Sequence, residues 1–107
     1  GIEMDAQLKR GILEICVLKA LHRQDSYGYQ IIKDLAPWVT LSESTLYPIL
    51  KRCGAAGYVT EYTVEHSSRL RKYYHLTDKG RGRIADFLQE WDEVRQAYHY
   101  IRGEDHE

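Results

Sequence analysis

With 107 residues, 43% of them apolar, and a net charge of −1, the chain has the size of one domain whose small core would gain from a partner surface. Near-neutral charge excludes binding of polyanions by bulk basicity, so any such affinity has to come from local clusters. No apolar run approaches a membrane span and no charged-apolar-small leader opens the chain, which points to a cytoplasmic protein with no membrane partner.

Gly1-Ile2-Glu3 ahead of Met4 reads as a tag remnant and is left out of the fold reasoning. Leu8 to Leu21 is apolar on nearly every side (Leu8, Ile12, Leu13, Ile15, Cys16, Val17, Leu18, Leu21), more than a helix covering one face requires. This first helix is expected to be buried from two directions. Asp25 and Ser26 supply a turn and an N-cap before Tyr27-Gly28-Tyr29. Ile31, Ile32 and Leu35 then mark a short second helix that stops before Pro37.

Thr40 with Glu43 three residues later fits a capping box at the start of a third helix, with Ser42 as the alternative cap. Leu46, Ile49, Leu50 and Cys53 fall on one helical face and leave Glu43, Ser44, Thr45, Tyr47, Lys51 and Arg52 on the open arc. That arc holds no complete catalytic set; its hydroxyls, phenol and cations are the groups that bind phosphates and base edges. Pro48, in or just past the first turn, removes one backbone donor, so a local bend is expected. Gly54 and Gly57 end the helix.

Tyr58 to Val64 and Arg71 to Leu76 are rich in β-branched and aromatic residues and read as two strands around a polar loop, Glu65 to Arg69. Adjacent strand residues face opposite sides, so one of Tyr73 and Tyr74 packs inward. From His66 to Arg83 there are six Lys/Arg against one acid, and from Asp86 to Glu107 seven acids against two Arg. Three helices followed by a hairpin with a basic tip is the plan of a winged helix-turn-helix, with the third helix in the major groove.

Thr77 and Asp78 cap a last helix that runs to about Gly103. Ile84, Phe87/Leu88, Trp91, Val94, Tyr98 and Ile101 keep a spacing of three or four, the pattern of a seam against another helix. At ~37 Å this helix outruns the three-helix core it leaves, so it needs an external partner. The first helix of a second copy supplies one. The expected fold is therefore mainly α, in the α+β sense: a winged helix-turn-helix over residues 4–76, then a dimerisation helix and acidic tail over residues 77–107.

Cys16 and Cys53 sit on apolar helical positions and read as buried thiols of a reducing compartment. His22, His66, His75, His99 and His106 show no metal-ligand spacing with them. There is no phosphate-cradling glycine loop, and no serine or cysteine has an evident base, so neither a cofactor, a metal nor an enzymatic activity is expected.

Tyr27-Gly28-Tyr29-Gln30-Ile31, Thr45-Leu46-Tyr47-Pro48-Ile49-Leu50-Lys51-Arg52, Gly57-Tyr58-Val59, and Arg71-Lys72-Tyr73-Tyr74 leading into Leu76-Thr77-Asp78-Lys79-Gly80 occur in this order. In these stretches, and over essentially the whole of Leu8 to Ile101, the chain resembles the PadR-like transcriptional regulators, specifically short members with a single C-terminal helix. It departs from them at Ser44, where a glycine is common, and at Cys53-Gly54, which replaces a Leu-Glu pair.

The resemblance implies a homodimeric repressor on an inverted-repeat operator in double-stranded DNA, with small-molecule release in some members. By position it places Ser44, Thr45, Tyr47, Pro48 and Lys51 in the major groove and Tyr27 against a phosphate. Arg69, Arg71 and Lys72 would hold the wing on backbone or minor groove. In some short members a tryptophan placed like Trp91 stacks on a planar aromatic effector between subunits, with Phe87 and Ile15 as lining here; alternatively Trp91 only packs the helix seam. A rival reading from another class is a winged-helix protein-interaction module without sequence-specific DNA binding.

Overall fold

Asp5 starts the first helix. Its carboxylate accepts from the backbone N–H groups of Gln7 and Leu8 at 3.0 and 3.3 Å, satisfying donors that have no intrahelical partner. The computed structural model describes residues 4–104, so the tag reading of residues 1–3 and the last three residues of the acidic tail lie outside the described residues. Helix α1 spans Ala6–Ala20, followed by β1 (Ser26–Tyr27), α2 (Gly28–Leu35), α3 (Glu43–Ala55), β2 (Val59–His66), β3 (Arg69–Leu76) and α4 (Asp78–Arg102). Among the described residues no helix is long and apolar enough to cross a membrane.

The core gathers Leu13, Val17 and Leu18 of α1, Ile31 of α2, Leu46, Ile49, Leu50 and Cys53 of α3, and Val59, Tyr74, Leu76 and Ile84 from the sheet and α4. Helix α1 packs on α2, α3 and α4 of its own chain. Its apolar surround is thus largely consumed within one subunit, and Leu8 is the part left exposed. Burial pushes the Cys53 thiol up to about 12, as suits an inert packing group.

The sheet has three strands in the order β1-β3-β2, all antiparallel. Ser26 and Tyr27 pair with Tyr74 and Tyr73, so Ser26 is a strand residue and not the cap expected of it. The N-cap of α2 is Tyr27, which makes no side-chain capping bond. The polar loop expected at Glu65 to Arg69 contracts to a two-residue turn between the paired His66 and Arg69. Ser67 and Ser68 both take positive φ there (50° and 67°), the mirror-image turn that matches strand twist although neither residue is the usual Asn or Gly.

Ser42, not Thr40, caps α3: its Oγ accepts from the Thr45 N–H at 3.3 Å. Pro48 is accommodated inside the helix. Gly54 does not end it. The end comes at Ala56-Gly57, where Gly57 has φ 82° and the Tyr58 N–H reaches back to the Cys53 carbonyl at 2.9 Å, a left-handed glycine stop. Thr77 caps α4 with an Oγ1 that accepts from the Gly80 N–H at 3.0 Å and donates to the Gly57 and Tyr58 carbonyls. One hydroxyl thus locks the end of α3, the start of β2 and the start of α4 together.

Candidate nucleic-acid interface

Burial of Leu46, Ile49, Leu50 and Cys53 turns the rest of α3 outward. Ser44, Thr45, Tyr47, Pro48, Lys51 and Arg52 are all exposed, so the arc read from spacing exists as a surface. Its hydroxyls are tied together: Ser42 Oγ lies 3.0 Å from Ser44 Oγ and donates to Thr45 Oγ1 at 3.1 Å. Such a cluster presents oriented acceptors and donors at the helix entry, where anions are also favoured by the dipole.

Beside α3 stands the hairpin. Strand alternation separates its three cations, because Lys72 shares the face of Tyr74, which is buried, while Arg69 and Arg71 share the face of Tyr73. Tyr74 is therefore the inward tyrosine. On the outer face Tyr73 packs between Tyr27 and Tyr62, with ring centroids 5.3 and 5.8 Å away, and the Arg71 guanidinium lies 4.0 Å from the centroid of the Tyr27 ring. This cation–π contact holds Arg71 beside the start of α2. Lys72 has only a loose, exposed ion pair with Glu61 at 3.7 Å, a pair worth little and readily exchanged for a phosphate.

Between α3, the start of α2 and β3 lies an open cleft of about 410 Å3 lined by Tyr27, Gly28, Tyr47, Arg71 and Lys72 among others. Four of the residues that the resemblance singles out for DNA contact thus meet at one place. A second groove, of about 340 Å3, runs along the other flank of α3, where Lys9 and Arg10 of α1 face Thr45, Pro48 and Arg52. Sequence reasoning passed over Lys9 and Arg10, although a basic pair ahead of an apolar helix was visible in the chain.

A polar link that periodicity could not show braces the hairpin. Asp25 accepts from the Tyr62 hydroxyl at 2.6 Å and lies 2.8 Å from His75 Nδ1, which joins the loop before β1 to β2 and β3. The hydrogen bond from Tyr62, helped by His75, holds the Asp25 carboxyl below the usual carboxylate value against some desolvation. The same bond raises the Tyr62 phenol.

The residues assigned to an effector lie elsewhere. Phe87 and Trp91 stack at a centroid distance of 5.7 Å on α4, with Trp91 37% exposed. Ile15 is only 7% exposed and belongs to the core against which Phe87 packs. Beyond Ile84 the seam of α4 is uncovered: Leu88, Val94, Tyr98 and Ile101 are all exposed. Among the described residues no group of three or more His, Cys, Asp or Glu is placed to hold a metal ion.

With this geometry in view, the chain matches the model of the transcriptional regulator PadR-like family over residues 17–86. A solved PadR-like transcription factor from Bacteroides fragilis superposes with a TM-score of 0.80 at 32% identity, covering 90% of this chain and 95% of that one. A PadR family transcriptional regulator from Eggerthella lenta gives 0.80 at 30% identity, with 89% and 85% covered. The negative transcriptional regulator PadR of Bacillus subtilis is 29% identical over 82 residues, which are 72% of this chain but 45% of that protein.

Proposed function

The chain belongs to the PadR-like family of transcriptional regulators, regulators and not enzymes, and on that premise we propose that it is a homodimeric repressor reading an inverted-repeat operator in double-stranded DNA. The observation that carries this reading is the cleft in which Tyr47 of the α3 arc meets the wing cations Arg71 and Lys72 beside Tyr27. Ser44, Thr45, Pro48 and Lys51 meet base edges in the major groove, while Arg69, Arg71, Lys72 and Tyr27 hold the flanking backbone. Dimerisation through the bare seam of α4 and the exposed start of α1 sets the distance between two such surfaces. Residues 4–76 act as the reading unit, residues 77–107 as the assembly element, and the protein works in the cytoplasm.

Footprinting on the promoter regions next to its own gene tests the class, and salt titration tests the residues. Lys51→Ala and Arg71→Ala should each leave the dimer intact and weaken binding roughly tenfold; Arg71→Ala should also flatten the slope of log K against log salt by about two, one released phosphate contact per subunit, while Lys51→Ala relaxes base preference. Unchanged affinity and slope in both variants would instead favour a protein-docking role for the winged helix.

The stacked Phe87–Trp91 pair supports a second element of the proposal: a planar aromatic effector lies against Trp91 between the subunits, with Ile15 in the core behind. A large flat π-face suits such a ligand. Binding there shifts the spacing of the two α3 helices and so opposes DNA by the same factor that DNA opposes it. Quenching of tryptophan fluorescence by planar aromatic compounds should vanish in Trp91→Ala, leaving the steady signal of Trp38, which is 79% exposed. Quenching that survives the substitution removes Trp91 from the site.

A further inference from the structure

Gly28 is helical and buried, and its φ is not in the left-handed region. Backbone freedom therefore does not account for a glycine at the first position of α2, where alanine would favour the helix by about 0.5–1 kcal/mol. Space accounts for it. A Cβ at Gly28 would lie 2.5 Å from the hydroxyl oxygen of Tyr47 and 3.0 Å from its Cζ. The phenol of the third helix thus ends on the bare Cα of the second, and the ring, 46% exposed, is turned across the cleft toward β3 instead of along the axis of α3.

That orientation sets what the hydroxyl can reach. The groups sharing its cleft are Lys72 and Arg71 on the hairpin and Tyr27 at the start of α2, two cations and a second phenol. The face of α3 that would enter a major groove is carried by Ser44, Pro48 and Lys51, one turn apart from each other. The cleft lies beside that face, between helix and wing, where the sugar-phosphate strand bordering an occupied groove would pass. A neutral donor flanked by two cations matches a phosphate oxygen and carries no base information.

We propose that Tyr47 is a backbone-phosphate clamp and not a base reader, and that Gly28 is the positioning residue that keeps its phenol in the cleft. The inference rests on the DNA-binding function proposed above and assigns the chemistry of one residue within it. Adding a methyl at Gly28 swings the tyrosine out and need not unfold the chain, because the atom met is the far end of a side chain.

The test is selection from a pool of random duplexes by the wild type, Tyr47→Phe, Gly28→Ala, the double variant and Lys51→Ala, followed by titration of each on the wild-type consensus and on its single-base changes. Tyr47→Phe and Gly28→Ala should each bind about tenfold more weakly at every sequence, with an unchanged base preference. Lys51→Ala, in contrast, relaxes the preference at its own position. The double variant should bind no more weakly than Tyr47→Phe, because with the hydroxyl gone the methyl has no phosphate donor left to displace, and the ring carbons it meets at 3.0 and 3.3 Å need give only slightly. A changed base preference in Tyr47→Phe, wild-type affinity in that variant, or additive losses in the double variant would overturn the assignment. A wild type that enriches no sequence overturns the DNA-reading function itself, a result distinct from all of these.

Discussion

Gly80→Ala is expected to destabilise the protein by on the order of 2–3 kcal/mol, while Gly82→Ala, two residues further along the same helix, stabilises it by about 0.5–1 kcal/mol. A Cβ at Gly80 would come within 2.3 Å of the Tyr58 carbonyl oxygen and 2.5 Å of Leu76 Cδ1. The side chain of Leu76 sits in the core and the carbonyl is main chain, so neither can give way cheaply. The Tyr58 carbonyl also accepts from the Thr77 N–H at 3.0 Å and from the Thr77 hydroxyl, so moving it loosens the joint between α3, β2 and α4. At Gly82 nothing lies within 4 Å, and only helix propensity speaks. Thermal melts at one fixed protein concentration should show a fall of roughly 10 °C or more for the first variant and a rise for the second. Equal shifts of the same sign would show that the close approach at Gly80 is relieved without cost.

The second large effect concerns assembly. If the homodimer proposed above forms, Leu88→Asp combined with Val94→Asp is expected to convert it to monomers and to weaken binding to the proposed two-half-site operator on the order of 100-fold, because the second half-site no longer binds as an intramolecular event. Both residues lie on the exposed seam of α4 that also carries Trp91, Tyr98 and Ile101, spaced as a/d positions of a helix pair. Neither belongs to the core cluster, so the monomer should keep its melting behaviour apart from the lost association energy. Light scattering at tens of micromolar protein distinguishes the states. A double variant that stays dimeric would place the subunit contact elsewhere.

The parts of this architecture that were legible in the chain are those where burial is local and periodic. Leu46, Ile49, Leu50 and Cys53 announced which way α3 faces, and the open arc followed. The β-branched and aromatic runs of Tyr58 to Val64 and Arg71 to Leu76 then placed the wing. The missed features depend on elements distant in sequence. A two-residue strand such as Ser26–Tyr27 has no period of its own; it exists because β3 offers an unpaired edge. Ser67-Ser68 carries no Asn-Gly signal, so a tight turn looked like a loop. Asp25 finds Tyr62 and His75 across 37 and 50 residues, a link invisible to spacing. Gly28 stands in the sequence only as the middle of Tyr27-Gly28-Tyr29, and the structure makes it the seat of a ring from another helix. The apolar surround of α1 suggests demand for a partner subunit, but three helices of its own chain meet most of that demand, leaving α4 with the larger exposed apolar seam.

The sign of charge also changes along α4. Lys79, Arg81 and Arg83, against Asp78, occupy its first turns directly after the base of the hairpin, and Asp86, Glu90, Asp92, Glu93 and Glu104, against Arg95 and Arg102, follow toward its far end, in a molecule 60 Å long. A body with almost no net charge but a large electric dipole feels little pull from a distant duplex and a strong torque close to it. Each productive collision then begins with the molecule already turned the right way round, so added salt should slow the encounter as well as shorten the lifetime of the complex.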